Sequence, residues 1–246
     1  MKANEFYHRY WTDFYDWSPS GVKLSPQERD FLSRYLHPGA HVLECGSGDC
    51  SHYGDIILSS KVHYIGLDIS RDAVQRCRER GLNALVHDLS EPLPFPNDFF
   101  DTALLIEVLE HLFQPEVALK EICRVLKPGG VALITVPNAV YLPNRLLFLV
   151  GFFNPGGSPA TSLRAPWRDP HIRFFTKASL CGLLKETGFV ISEFKGDFSF
   201  ANFPIIYRLR RIRRIADFLS MPLRPLGHYW PSVFAFRFFV VAKKPA

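Results

Sequence analysis

The residues able to do chemistry stand at the ends of short apolar runs. Glu44 lies two residues before Gly46-Ser47-Gly48, at the end of the run 41–45. Two glycines there permit a tight turn whose backbone N–H groups can approach a ligand closely. The run 62–67 ends at Asp68, 20 residues after Gly48, where an acid can accept hydrogen bonds from both hydroxyls of a ribose. The run 83–87 ends at Asp88, placed to accept from an adenine amino group. Singly, these residues also read as a cap partner, a turn former and an N-cap. Three of them on three successive strands are harder to obtain by chance. A dinucleotide fingerprint would need glycine at position 51, where Ser stands. Glu44 would repel a pyrophosphate but suits a ligand carrying an ammonium or sulfonium group.

A second constellation follows the run 102–106. In Glu107-Val108-Leu109-Glu110-His111, a helix would put Glu107, Glu110 and His111 on one face, a geometry for one divalent cation. His171 lies downstream in Trp-Arg-Asp-Pro-His, residues 167–171. An imidazole with a pKa of about 6.5 suits removal of a hydroxyl proton near neutral pH. The spacing predicts that His111 and His171 converge on an acceptor from opposite sides. Positioning or base work ranks above a metal site of Glu107, Glu110, His111 and His171.

The elements that must hold these residues alternate between two periods. Strands are predicted at 41–45, 62–67, 83–87, 102–106 and 131–136, the last ending at Pro137-Asn138. Helices are predicted over 72–80 and over 115–126, the latter with Ala118, Ile122 and Val125 as its buried stripe and Lys127-Pro128-Gly129-Gly130 as its stop. An earlier helix begins at Ser25 as N-cap, with Pro26 in the first turn and Glu28 at the capping-box position. Short apolar strands alternating with helices imply a parallel sheet covered on both faces, doubly wound by right-handed crossovers. Ligands bind such sheets at the carboxyl ends of the strands, where the acids and glycines fall.

With these residues in place, the sequence resembles the class I S-adenosylmethionine (SAM)-dependent methyltransferases. LECGSGDCS is similar to their first motif, YIGLDIS to the second, HDLSEPLPFPNDFFD to the third and LKPGGVALITVPN to the motif of the fifth strand. The resemblance runs in order from Val42 to Asn138. It implies an α/β, doubly wound, mostly parallel seven-stranded sheet with helices on both faces and an antiparallel last strand. For the final strands, 190–194 and 234–243 are the candidates. It further implies SAM as cofactor, with Gly46 and Gly48 at its methionine part, Asp68 at the ribose, Asp88 and the backbone of Leu89 at the adenine, and Glu44, Ile69 and Glu107 in the same site. The pattern E-x-x-E-H with a later His also resembles the metal-dependent small-RNA 2′-O-methyltransferases and, more loosely, the ubiquinone-pathway O-methyltransferases. The expected activity is methyl transfer to an oxygen of a small molecule, a saccharide or a lipid-linked intermediate. The alternatives are the small-RNA type and a non-catalytic binding protein of the same fold. Intact Gly46, Gly48, Asp68 and Asp88 speak against the last.

Composition sets the remaining bounds. The chain of 246 residues is 47% hydrophobic and 22% charged, as for a single globular domain. That domain is expected to span 1–246, with a helical, aromatic flap over 1–37 and acceptor-side insertions over about 139–170 and 198–232. Five cysteines without a Cys-x-x-Cys pair predict reduced thiols in a cytoplasmic protein rather than a disulfide framework or zinc site. The N-terminus lacks the apolar core of a signal peptide, and no apolar run reaches membrane-spanning length. The net charge of +5 permits an anionic partner. Its densest cluster is Arg208, Arg210, Arg211, Arg213 and Arg214, beside a stripe of Ile205, Leu209, Ile212, Ala216 and Leu219. On a helix over 205–219 this stripe would be apolar and flanked by arginine, fitting core packing, a peripheral contact with the inner membrane face, an anionic acceptor or a dimer contact. The arginines lack the broad, aromatic-interleaved surface of a dedicated RNA binder. Monomer and homodimer both remain compatible.

Overall fold

Alternating burial along the central strand organises two cores on one sheet. In β1 (His41–Cys45), Val42 joins one hydrophobic cluster while Leu43 and Cys45 join the other. All three are fully buried, as in a strand covered on both faces. The computed structural model describes residues 26–152, 169–198, 215 and 218–246. Its seven strands are β1, β2 (His63–Asp68), β3 (Ala84–Val86), β4 (Phe100–Ile106), β5 (Leu126–Pro137), β6 (Val190–Gly196) and β7 (Arg237–Lys243). They form one sheet in the order β3-β2-β1-β4-β5-β7-β6. The first five pair in parallel, and β7 runs antiparallel between β5 and β6. Strand order reverses at β1, between β2 and β4, which opens a crevice at the carboxyl edge.

The helices follow from the same patterning. On one face α1 (Pro26–Ser33), α2 (Gly54–Ser60) and α3 (Arg71–Glu79) deliver Phe31, Leu32, Ile56, Ile57, Val74 and Cys77 to the core. On the other, α4 (Pro115–Val125) buries Ala118, Leu119, Ile122 and Val125, and α6 (Lys177–Glu186) buries Leu180 and Leu184. The predicted stripe of α4 is therefore the observed one, with Leu119 added. Ser70 caps α3 through its hydroxyl, and Thr176 caps α6 in a reciprocal capping box with Ser179. Between β5 and α6 lies α5 (Leu142–Leu149), and before β7 come α7 (Arg224–Tyr229) and α8 (Pro231–Phe234).

Two expectations change. The run Lys127-Pro128-Gly129-Gly130 does not simply end α4: β5 begins at Leu126, opposite Phe100, and the register shifts before Thr102 meets Val131. The glycines absorb a bulge inside a long strand. The cysteines are not all thiols. Cys50 and Cys77 form a disulfide, with Cα atoms 5.2 Å apart across 27 residues of sequence. The inner face of α3 packs on the turn after β1, a through-space neighbour that local spacing cannot reveal. Ser25, the expected N-cap of α1, lies outside the described residues; the Glu28 carboxylate lies 2.8 Å from Arg237 Nη2. The aromatic residues before Pro26, about half of the two insertions and the arginine cluster lie outside the described residues. Of the predicted stripe only Leu219 is described, and it is exposed. No helix among the described residues is long and apolar enough to cross a membrane.

The disulfide has a direct assay. Unfolded without reductant, the chain should present three titratable thiols, from Cys45, Cys123 and Cys181, rising to five after reduction. Five thiols before reduction would refute the crosslink.

Candidate functional site

The turn after β1 is tied to the end of β2 by one carboxylate. Gly46 and Ser47 N–H donate to the Leu67 carbonyl at 2.7 and 2.9 Å. Gly48 N–H donates to Asp68 Oδ2, and Ser70 N–H to Asp68 Oδ1, both at 2.8 Å. Burial raises the Asp68 pKa, and these backbone donors oppose the rise. Each carboxylate oxygen retains a second lone-pair direction for a ribose hydroxyl. Gly46 holds φ +74°, and a Cβ there would come within 2.5 Å of Val108 Cγ2. The turn thus needs glycine for both conformation and space.

Glu44 lies beneath this turn. Its side chain is 1% exposed. Tyr64 Oη donates to Oε2 at 2.5 Å, while Oε1 is buried without a hydrogen-bond partner. Desolvation pushes its pKa up to about 8, against the pull of the Tyr64 hydrogen bond. Tyr64 gave no signal in the sequence. Gly66, two residues along β2, makes room for it: a Cβ there would lie 2.7 Å from Tyr64 Oη. At the next strand, Asp88 Oδ1 accepts from Ser90 N and Oγ at 2.9 and 2.7 Å, a local turn that fixes the carboxylate. Leu89 beside it is buried, and Ile69 is half-buried after Asp68.

After β4 the chain is not α-helical. Glu107 takes φ +57°, and only Leu109–His111 form a 3-10 turn. The turn separates Glu107 from its expected partners. Glu110, His111 and His171 offer ligand atoms within 4.8 Å of one another, a set that Glu107 does not join. The imidazoles do converge, but they stack with centroids 4.8 Å apart and planes at 26° rather than facing each other across an acceptor. His111 Nδ1 is 3.2 Å from the Pro170 carbonyl, and His171 Nδ1 is 2.8 Å from Asp169 Oδ1. His171 Nε2 is 3.8 Å from Glu110 Oε1. Both carboxylate oxygens of Glu110 are buried without a hydrogen-bond partner. Burial, reinforced by Glu107, raises the Glu110 pKa well above the carboxylate range. Burial and the His171 ring lower the His111 pKa to about 4, so it does not keep the neutral-range pKa expected of it. Asp169, two residues before His171, is a partner that reading the histidines alone overlooked.

Glu107 faces a different group. Burial opposes the charge of Arg237, but Glu107, Asp197 and Glu28 outweigh it and hold its pKa up. The Arg237 backbone N–H also donates to Asp197 Oδ1 at 2.9 Å. Burial raises the Asp197 pKa to about 6 against the pull of Arg237. Tyr53 lies in the electrostatic field of Glu44, Arg237, Glu28 and Glu107 at once, so these groups share one neighbourhood. Carboxyl groups outnumber the single arginine there among the described residues. Such a site favours a ligand with net positive charge. The pairing of Pro137 with Arg237 places that arginine at the carboxyl end of β5.

Comparison with known proteins agrees with this geometry. A family model described as a methyltransferase domain matches residues 16–193. The chain is 38% identical over 114 residues to a tRNA (carboxymethyluridine(34)-5-O)-methyltransferase of Arabidopsis thaliana, covering 45% of this chain and 27% of that one. It is 36% identical over 138 residues to a fatty-acid O-methyltransferase of Mycolicibacterium smegmatis, covering 48% of each. The chain therefore spans less than half the length of both relatives. In fold it is similar to a phosphoethanolamine N-methyltransferase 2 of Haemonchus contortus in complex with SAM, with a TM-score of 0.67 at 17% identity, over 100% of this chain and 60% of that one.

Two measurements test the cofactor half of the site. Asp68→Ala should weaken SAM binding by about 1–3 kcal/mol through unmet ribose hydroxyls; unchanged affinity would remove Asp68 from the site. Glu44 is mostly protonated at neutral pH in the free protein, because its pKa is raised to about 8. A bound cation favours the carboxylate. SAM binding should therefore release protons, giving calorimetric heats that differ between phosphate and Tris buffers. Glu44→Gln should abolish the difference, and equal wild-type heats would place the cation elsewhere.

Proposed function

The chain belongs to the class I SAM-dependent methyltransferases, and from that premise we propose that it transfers a methyl group to an oxygen of a small molecule, a saccharide or a lipid-linked intermediate. SAM would be held by Gly46, Gly48 and Asp68, with Glu44 and Glu107 supplying negative charge near its methionine end. The buried, unpartnered Oε1 atoms of Glu44 and Glu107 fit a cationic ligand. When bound, SAM supplies an electrophilic methyl group on a positively charged sulfur.

The observation that carries the acceptor half of the proposal is the Asp169–His171 pair. Asp169 Oδ1 lies 2.8 Å from His171 Nδ1, so the carboxylate would stabilise the imidazolium once a proton arrives at Nε2. The 3.8 Å between Nε2 and Glu110 Oε1 is too long for a direct hydrogen bond. An acceptor oxygen within hydrogen-bond reach of both would bridge them. His171 then takes the hydroxyl proton as the oxygen–methyl bond forms and the sulfur–methyl bond breaks. Protonated Glu110 orients the oxygen, and His111 supports the His171 ring by stacking.

Labelled SAM incubated with a fractionated cell extract should yield a product methylated on oxygen. With that acceptor, His171→Ala should lose roughly 100- to 10,000-fold in kcat with SAM affinity unchanged. Because the His111 pKa is held near 4, His111→Ala should lower the rate without altering the pH dependence between about pH 6 and 9. A displaced profile would make His111 the base instead.

A second reading rests on the two unpartnered Glu110 oxygens. Glu110, His111 and His171 could ligate one divalent cation, with the hydrogen bond between His111 Nδ1 and the Pro170 carbonyl orienting one imidazole and the Asp169 carboxylate beside the other. Activity lost to a chelator and restored by Mn²⁺ or Zn²⁺ would establish it. Activity insensitive to chelator would leave the general-base reading in place.

A further inference from the structure

We propose that the Cys50–Cys77 disulfide is a redox switch on SAM binding, with the oxidised protein as the tight-binding form. The inference rests on SAM occupying the turn after β1. Cys50 stands two residues beyond Gly48 in that turn, and Cys77 lies on the buried face of α3. The stretch they enclose, with a sequence separation of 27, contains β2, Asp68 and the Ser70 cap of α3. The two backbone donors to the Asp68 carboxylate, Gly48 N–H and Ser70 N–H, therefore sit on the two segments that the crosslink joins.

The backbone of the turn needs that restraint. Cys50 holds φ +56°, in the left-handed region that a residue with a Cβ rarely adopts. Such a conformation persists where its surroundings hold it. A noncovalent tie runs beside the disulfide: Asp49 Oδ2 lies 3.4 Å from Arg80 Nη2, just past the end of α3. That ion pair is partly exposed and contributes little. The Cys50 sulfur also lies 3.4 Å from Tyr64 Oη, the hydroxyl that donates to Glu44. One covalent bond thus acts on Asp68 through the glycine turn and on Glu44 through Tyr64. Cutting it leaves Cys50 free to relax out of the left-handed region, and the Gly48 N–H loses its aim at Asp68.

The reductant is a low-molecular-weight thiol. Its thiolate attacks one sulfur of the disulfide, forming a mixed disulfide and releasing the other cysteine. A second small thiol then displaces the first. Two electrons and two protons pass from two small thiols to Cys50 and Cys77, and the small thiols leave joined as a disulfide. Reoxidation runs the same exchange in reverse. Cys50 and Cys77 are both buried, so the exchange proceeds through opening of the turn. Bound SAM closes the turn and opposes the exchange. By linkage, the factor by which oxidation tightens SAM binding is also the factor by which SAM favours the disulfide.

The test measures calorimetric SAM affinity of the full chain, oxidised and after dithiothreitol, with circular dichroism reporting the fold of each form. The oxidised protein should bind SAM roughly tenfold more tightly than the reduced protein, and oxidised glutathione should restore the tight form. Cys77→Ser should bind SAM as the reduced wild type does, with or without reductant. Cys123→Ser combined with Cys181→Ser retains the disulfide and should respond to reductant as the wild type does. In glutathione buffers, saturating SAM should move the midpoint of the thiol–disulfide couple by about 30 mV toward more reducing potentials, the equivalent of that tenfold factor for two electrons. Equal SAM affinity of the folded oxidised and reduced forms would overturn the proposal while leaving the cofactor site in place. Unfolding on reduction would make the crosslink purely structural and overturn it too. No SAM binding by either form would overturn the cofactor site together with the switch.

Discussion

The Asp68 carboxylate is the junction on which the cofactor half of the molecule depends. One oxygen fixes the turn after β1 through Gly48, and the other fixes the start of α3 through Ser70. Without it, the switch point between β2 and β4 would be an opening between strands rather than a shaped crevice. In the proposed site the same carboxylate would also receive a ribose, adding a recognition role to its structural hydrogen bonds. Burial opposes its charge, and backbone donors oppose the burial. Negative charge at this edge therefore persists only because the surrounding amides are already aimed at it.

Charge distribution separates the two halves of the site. On the proposed cofactor side stand Asp68 and Glu107, joined by Glu44 once a bound cation favours its carboxylate. Toward the acceptor, neutral forms dominate: Glu110 is driven toward its acid form and His111 toward its neutral imidazole. Methyl transfer from a sulfonium disperses positive charge. An anionic cradle on one side and an uncharged, hydrogen-bonding wall on the other suit that redistribution.

The sheet was legible in the sequence because its strands are apolar runs punctuated by acids and glycine. β1 lies at the predicted positions, and β2, β3 and β4 fall within two residues of theirs at each end. The Lys127–Gly130 bulge was hidden because Pro-Gly-Gly is a stronger stop signal than a strand signal. At the site, Gly46, Gly48 and Asp68 announce themselves through spacing along the chain. The groups that complete it do not. Tyr64, Asp169, Asp197 and Arg237 act across strands or between distant segments, and nothing in their local sequence distinguishes them from ordinary polar residues. Likewise, the helical face imagined for Glu107, Glu110 and His111 failed at one torsion angle, the positive φ of Glu107.

The position of β7 has a consequence for how the protein is made. A ribosome delivers β6 before β7, yet β7 lies between β5 and β6. While β7 is missing, β5 has an unsatisfied backbone edge and β6 has no neighbour to join. The same late strand brings Arg237, the cation that Glu28, Glu107 and Asp197 surround. A nascent chain stalled before Arg237 would thus hold mutually repelling carboxyl groups beside an open sheet edge. Sealing the sheet and neutralising its acidic interior are one event, timed to the arrival of β7.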